Sequence, residues 1–274
     1  MTDPNEQKAR HKFAEAQKKS KGGGGFFSFL GGNKADEAAD LFVQAGNLFK
    51  ICKLWKDAAR HCFNYAEAAN CFRKVNPQFA VDCLQKTVDI YTDMGRFNMA
   101  AKYHTTIAEL YETDCPDMEQ CMLHYQKAAD YYKGEESKSS ATKCLVKVAQ
   151  YAAQLEQYRN AIKIFEEIAC WEADHATLKY AAKNHFFQAL LCQLCLDVVC
   201  QTFTRTKRIS PSFVDAREYK LVKDLIVALE QEDADQFTEA VKSYDRISRL
   251  DEWHTNLLVK VKRAIGADED DDLK

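Results

Sequence analysis

The chain repeats itself through its middle with a period of about 41 residues. Residues 80–111 match residues 121–152, and a third copy follows at nearly the same offset. The first match pairs Gln85 with Gln126, Asp89 with Asp130, Tyr91 with Tyr132, Ala100 with Ala141, Lys102 with Lys143 and Ala108 with Ala149. Because periods of this length are typical of solenoids made from helix pairs, the repeat predicts a stack of such pairs.

Each copy also has the apolar spacing of an amphipathic helix. Val81, Leu84 and Val88 follow one another by three or four residues, which places them on one helical face. The 274 residues include only 4 Pro and 10 Gly, too few turn residues for an all-β fold. We therefore predict an all-α, right-handed tetratricopeptide-like helix-pair solenoid with a C-terminal helical cap.

Four segments are predicted along the chain. Residues 1–33 combine a basic N-terminal helix with a Phe- and Gly-rich loop, and residues 34–210 hold the repeats. Residues 211–266 lose the period but keep three amphipathic patterns, as expected of a cap over the last apolar face of a repeat array. Residues 267–274, ADEDDDLK, form an acidic tail.

Composition and motifs narrow the class of protein. The most apolar stretch, residues 189–200, is too short for a membrane span and is interrupted by Gln193 and Asp197. Eleven cysteines in helical sequence, and a start without the apolar core of a secretory signal, lead us to expect a cytoplasmic protein. The sequence has no phosphate-binding loop, nucleophile elbow or HExxH motif, so we expect a protein without enzyme activity or cofactor.

A column of lysines is the first candidate functional feature. Lys102, Lys143 and Lys183 have the same phase in three successive repeats, so a solenoid would bring them to one face. Such a face could bind an acidic, elongated partner. The net charge of −3 and the lack of aromatic residues among these lysines argue against nucleic acid. The alternative is a solvated position that repeat duplication has copied.

Both ends of the chain hold further candidates. The loop GGGGFFSFLGG follows three lysines, and its apolar residues could enter a bilayer interface with anionic head groups: Phe26, Phe27, Phe29 and Leu30. Alternatively, the loop packs against the first helices. In the tail, Leu273 follows five acidic residues, which suits either a docking signal for a basic partner or a merely solubilising segment.

One cysteine pair could carry chemistry. Cys192 and Cys195 form a CxxC pattern near His185 and Cys200, which could bind zinc or act as a redox pair. No second CxxC accompanies it, and the segment is an apolar helix in which cysteines act as small core residues. We therefore expect core cysteines and no metal, with a thiol or zinc enzyme as the alternative.

Several longer motifs resemble one known family. FFSFLGG, IYTDMGRF, IAELYE, ADYYKGEES, KCLVKVAQYAA, SYDRISRLDEW and the DDDLK end are similar to the soluble NSF attachment proteins of the alpha/beta type, over nearly the whole chain. The resemblance implies an all-helical adaptor that coats the four-helix SNARE bundle at membranes. It also implies recruitment and stimulation of the hexameric ATPase NSF, which disassembles the bundle in vesicle fusion and intracellular transport.

The resemblance assigns roles to individual residues. It implies SNARE binding, including syntaxin-type helices, by Arg96, Lys102, Lys143, Lys147, Tyr180, Lys183 and Arg217. It implies contact with membrane lipids by Phe26, Phe27, Phe29 and Leu30, hence a peripheral membrane location. It implies NSF binding by Asp268, Glu269, Asp270, Asp271, Asp272 and Leu273. The alternative function is a generic tetratricopeptide-type peptide-binding adaptor or co-chaperone.

The chain departs from the family pattern at two places, of which the smaller is residues 198–209, about two residues short and poorer in alanine. Between Trp55 and Tyr65 it is shorter by about 17 residues, which is most of one helix and its turn in a helix-pair repeat. Loss of a helix would leave apolar faces of its neighbours uncovered. We therefore expect an altered local stack near the start of the solenoid.

Overall fold

The computed structural model describes residues 4–21, 32–51, 76–175, 177–196 and 211–265, together with Tyr65, Ala66, Ala69, Phe72 and Arg73. All regular structure in these residues is α-helical, as predicted. The helices are α1 (Pro4–Lys21), α2 (Gly32–Ile51), α3 (Pro77–Asp93), α4 (Phe97–Thr113), α5 (Met118–Gly134), α6 (Lys138–Gln154), α7 (Tyr158–Ala173), α8 (Lys179–Leu194), α9 (Pro211–Val214), α10 (Arg217–Glu230), α11 (Ala234–Asp245) and α12 (Glu252–Ala264).

The chain divides into two compact units, Met1–Leu145 and Val146–Lys274. In the first unit α1 packs on α2, α3 on α4, and α4 on α5. In the second unit α7 packs on α8, α10 on α11, and α8 also touches α10 and α12. Consecutive helices that pack together across a short turn run antiparallel, so each such pair is a helical hairpin. The predicted helix-pair architecture is confirmed.

Alanines mark where the helices approach most closely. Two sets at repeat-equivalent positions are each at most 3% exposed: Ala100, Ala141 and Ala182, then Ala108, Ala149 and Ala189. A larger side chain at these positions would push neighbouring helices apart, since protein interiors are close-packed. The repeated small residues found in the sequence are therefore the contact points between helices.

Four of the helices end in a turn that contains a residue with a left-handed backbone conformation. Gly95 has φ +67°, and three glutamates adopt similar values, namely Glu136 (55°), Glu156 (62°) and Glu232 (54°). After Gly95, the amide of Arg96 donates to the carbonyl of Tyr91 at 2.8 Å, and the three glutamate turns repeat this bond. This is the Schellman motif, which satisfies the free carbonyls at a helix C-terminus.

Side chains cap the starts of several helices. Asn76 accepts a hydrogen bond from the amide of Phe79 and precedes Pro77, the first residue of α3. Asp117 caps α5 in the same way, and Asp233 and Asp251 cap α11 and α12. Each cap satisfies amides that have no partner inside the helix.

A column of five rings joins α4 to α5. Its members alternate between the two helices in the order Phe97, Tyr131, His104, His124 and Tyr111, and successive ring centroids lie 5.2 to 5.9 Å apart. The residues on α4 are spaced by seven, as are the two on α5, which is the spacing of a seam between antiparallel helices. The column covers nearly the full length of α4.

The α1–α2 hairpin has its own small apolar core. Ala9 and Ala45 are fully buried between the helices, and the rings of Phe13 and Phe42 meet edge to face with centroids 6.0 Å apart. Tyr65 lies against α2, where its hydroxyl donates to the carbonyl of Val43 at 2.7 Å and its ring covers Gly46. A β-carbon on Gly46 would lie 2.0 Å from that hydroxyl.

The second unit is centred on α8, in which every residue from His185 to Leu194 is buried. Trp253 of α12 packs edge to face on Phe165 and donates its indole N–H to the carbonyl of Gln150 at 3.1 Å. Lys260 holds α12 to the turn before α7, with its Nζ 2.6 Å from a carboxylate oxygen of Glu156. These contacts join the last helix to the repeats beside it. Among the described helices, none is long and apolar enough to cross a membrane.

A candidate basic interaction surface

Lys102 and Lys143 lie on neighbouring helices of the first unit. Both side chains are exposed, and neither forms an ion pair with any described residue. Thr105 of α4 and Cys144 of α6 are in contact, with Oγ1 and Sγ 3.8 Å apart. Since Thr105 is one turn after Lys102, and Cys144 directly follows Lys143, the two lysines project from adjacent helices. The structure thus provides two unneutralised cations at repeat-equivalent positions.

Arg96 precedes α4 in the same unit. It occupies the N-cap position of α4, and its side chain is exposed without capping the helix. The backbone amide of Arg96 donates the hydrogen bond of the Schellman motif that ends α3, so the backbone of Arg96 is held in place. The guanidinium group faces solvent.

Tyr180 and Lys183 form a compact pair in the second unit. Tyr180 is 86% exposed, an unusual position for an aromatic side chain on a helix. The Nζ atom of Lys183 lies 5.7 Å from the centre of the Tyr180 ring, within the range of a cation–π contact. This contact orients the ring and leaves its outer face open to a partner.

The second unit holds two further predicted contact residues. Lys147 on α6 is half-buried, and Arg217, the first residue of α10, is exposed. The remaining predicted sites lie outside the described residues. These are the loop residues Phe26, Phe27, Phe29 and Leu30 and the tail residues Asp268 to Leu273.

The cysteine pattern is placed in the core of the second unit. Cys192 is completely buried, and burial raises the pKa of its thiol. Cys195 is half-buried at the C-cap of α8. His185 is bound to Glu172, with Nδ1 and Oε2 2.7 Å apart, so its Nδ1 is engaged by a carboxylate. Within the ranges that the structure describes, no group of three or more His, Cys, Asp or Glu residues could hold a metal ion.

A buried histidine pair in the first unit was missed by the sequence analysis. His104 and His124 contact each other through Nδ1 atoms 3.0 Å apart. Burial, with smaller contributions from His124 and Lys127, lowers the pKa of His104 to about 3, and burial with the charge of Lys127 lowers the pKa of His124 to about 4. The seven-residue spacing of Phe97, His104 and Tyr111 is the sequence signal that could have indicated this ring seam.

Helix pairs with buried alanines at repeat positions define a helical repeat protein, which carries exposed lysines at equivalent positions of two repeats. Comparison with known proteins specifies the family. The family model described as "Soluble NSF attachment protein, SNAP" matches residues 7–66 and 62–266, and the chain belongs to this family.

Curated relatives match almost end to end. The mouse alpha-soluble NSF attachment protein is 46% identical, with 94% of this chain and 95% of that protein covered. The bovine beta-soluble NSF attachment protein is 45% identical, with 97% of each chain covered. The probable vesicular-fusion protein sec17 homolog of Schizosaccharomyces pombe is 32% identical, with 94% and 96% covered.

The family match is divided near the predicted shortened segment. The family model matches in two pieces that overlap at residues 62–66, at the end of the interval between Trp55 and Tyr65. The mouse alignment spans 281 positions, more than the 274 residues of this chain, so it contains gaps in this chain. Residues 52–64 themselves lie outside the described residues.

Proposed function

We propose that this protein is a non-enzymatic adaptor that binds assembled SNARE bundles at membranes and recruits and stimulates the ATPase NSF for their disassembly. The observation that carries the proposal is the family match over nearly the whole chain, together with exposed Lys102 and Lys143 on adjacent helices. The names of the relatives refer to NSF attachment and vesicular fusion, which supports the NSF partnership and a role in intracellular transport.

The basic surface is proposed to recognise the acidic outside of a helical bundle. Lysines without ion-pair partners lose little when they exchange water for carboxylates at a partly hydrated interface. Tyr180 adds an exposed ring, a residue type that is enriched in interface centres. Long-range attraction between the two surfaces would raise the association rate, so binding should weaken as salt is raised.

The ends of the chain are proposed to engage the other two partners. Phe26, Phe27, Phe29 and Leu30 would enter the bilayer interface, while the lysines before them favour anionic lipid. The acidic residues Asp268 to Asp272 and the apolar Leu273 would contact NSF. Several copies around one bundle, each also attached to the membrane, would turn weak contacts into effectively intramolecular ones. The proposed location is cytoplasmic and peripheral to membranes.

The test is disassembly of a preformed, membrane-anchored SNARE bundle by NSF and ATP. The wild-type protein is compared with Lys102→Glu/Lys143→Glu and with a control of equal charge change, Lys133→Glu/Lys163→Glu. The control lysines are exposed but lie on α5 and α7. We expect the first variant to bind the bundle at least about tenfold more weakly, because two attractive contacts become repulsive, and the control to keep activity.

A Leu273→Ala variant separates bundle binding from NSF stimulation. We expect it to bind the bundle as the wild type does but to lose disassembly. Equal loss of binding in both double variants would contradict the assignment of Lys102 and Lys143. Peptide binding without any stimulation of NSF by the wild-type protein would favour the generic adaptor instead.

A further inference from the structure

An open groove of about 760 Å³ lies between α3 and α5 in the first unit. Asp89 and Asp93 line it from α3, Lys127, Asp130 and Tyr131 line it from α5, and His104 of α4 lies at its floor. The volume falls within the range of sites that bind small ligands or peptide side chains. No residue assigned to SNARE, membrane or NSF contact lines this groove.

The groove has the opposite charge to the basic surface. Three exposed carboxylates face one lysine, whereas the exposed lysines at repeat-equivalent positions lie on α4 and α6. Asp89 and Asp130 are themselves repeat equivalents, and each accepts one hydrogen bond from a glutamine one turn earlier on its own helix. A carboxylate has room for several further donors, so both can still bind a cationic ligand.

A buried imidazole provides a second and independent feature. His104 is only 3% exposed, yet it lines the groove. Its Nδ1 is engaged by His124, so Nε2 is the nitrogen left for a ligand, and no described residue bonds to it. The low pKa of His104 keeps its ring neutral at physiological pH. In the tautomer whose Nδ1 donates a hydrogen bond to His124, the Nε2 atom carries no hydrogen and can accept a hydrogen bond from a ligand.

Tyr131 forms the aromatic wall of the site. Its ring stacks on His104 with centroids 5.8 Å apart, and its hydroxyl lies 3.2 Å from Thr92 Oγ1 on the opposite helix. The ring is therefore held from both sides of the groove. The two faces of the ring contact Phe97 and His104, so the groove presents the fixed edge of the ring beside its carboxylates.

We propose that this groove binds an arginine side chain in a basic segment of a partner protein. The guanidinium group donates to the carboxylates of Asp89 and Asp130, lies beside the edge of the Tyr131 ring, and directs one N–H to Nε2 of His104. Arginine fits better than lysine because its five donors are fixed in one plane and can serve these separate acceptors at once. The interaction is additional to the proposed binding of an acidic bundle and uses different residues.

Fluorescence anisotropy with short labelled peptides tests the proposal. The probes are Gly-Ser-Arg-Ser-Gly and its analogues with Lys or Gln in place of Arg, at low salt and neutral pH. The proteins are the full-length wild type, Asp89→Asn/Asp130→Asn, and the control Asp82→Asn/Glu119→Gln. The control removes two exposed acids from the same two helices outside the groove.

We expect the Arg peptide to bind the wild type and the control equally, and the groove variant at least about tenfold more weakly, because charge-assisted hydrogen bonds are lost. The Lys peptide should bind more weakly than the Arg peptide, and the Gln peptide weakest. His104→Phe keeps a ring at the floor but removes Nε2, and should weaken Arg binding selectively. Equal effects of the groove and control variants would overturn the proposal, as would equal binding of the Arg and Gln peptides.

Discussion

His104 and His124 face each other across the α4–α5 pair with their Nδ1 atoms 3.0 Å apart, so one ring must donate the shared proton and the other accept it. One further proton on the pair would place a positive charge in the core, and two further protons would place two like charges in contact there. The pair is therefore neutral in the folded protein, and it forms the centre of the ring column between the two helices.

The neutral histidine pair predicts that the free energy of unfolding decreases at acidic pH. The folded pKa values of about 3 and about 4 lie below the ordinary value of 6.5, so the unfolded chain binds more protons as pH falls below that value. The stability contributed by the pair should be fully present above pH 6.5 and should decline towards pH 4. The slope is about 1.4 kcal/mol per pH unit for each histidine.

Urea unfolding at several pH values between 7 and 4 measures this decline. Replacing both residues, as His104→Leu/His124→Leu, should flatten the pH dependence, since apolar replacement of both partners leaves no buried donor unsatisfied. His175→Leu is the control because His175 is exposed. An unchanged slope in the double variant would contradict the assignment.

A pair of glycines tests the helix-ending turns. Gly95→Ala should reduce the free energy of unfolding by about 1 kcal/mol, because an L side chain is strained in the left-handed region. Gly134→Ala, at the last residue of α5, should be neutral or stabilising by up to about 1 kcal/mol. A β-carbon meets open space at both positions, so the comparison isolates backbone conformation. Thermal unfolding would reveal the difference, and equal effects would argue against it.

Gly46 tests a different constraint, namely close packing. Gly46→Ala should destabilise the protein by about 1–3 kcal/mol, because the new methyl group would collide with the buried ring of Tyr65. The same substitution should cost less in a Tyr65→Ala background, where the ring is absent. A double-mutant cycle measures this coupling, and additive effects would refute the steric explanation.

The loop prediction can be checked by comparing two substrates. Phe26→Ser/Phe27→Ser should reduce disassembly of SNARE bundles held on liposomes, because apolar insertion into the bilayer is lost. It should leave disassembly of soluble bundles unchanged. A Ser28→Ala variant leaves the aromatic residues in place and serves as the control. Equal losses on both substrates would instead indicate that these phenylalanines contribute to folding.

The sequence predicted the helix-pair fold well because its strongest signals are spatial constraints that recur. Alanines such as Ala100 and Ala141 repeat since two backbones must approach closely at each of them, and amphipathic spacing follows from burial of one helical face. The helix bounds near Pro77 and Gly95 were likewise readable from residues with restricted or permissive backbones.

Other features depended on information that no local pattern contains. Glu136, Glu156 and Glu232 occupy left-handed positions where glycine is expected, so packing of the adjoining helices overrides local preference there. The contact between His104 and His124, and the groove above it, arise only when α3, α4 and α5 come together. Lys102 and Lys143 are exposed, but their possible partners were inferred only from family resemblance.

The ring column has a mechanical consequence. Five rings in contact connect α4 to α5 along almost the whole length of α4, and sliding one helix by a single turn would separate all of these contacts at once. The α4–α5 helix pair therefore resists sliding of one helix along the other until all of these contacts break together. A load applied at one end of these two helices would therefore pass to the other end without sliding of one helix along the other.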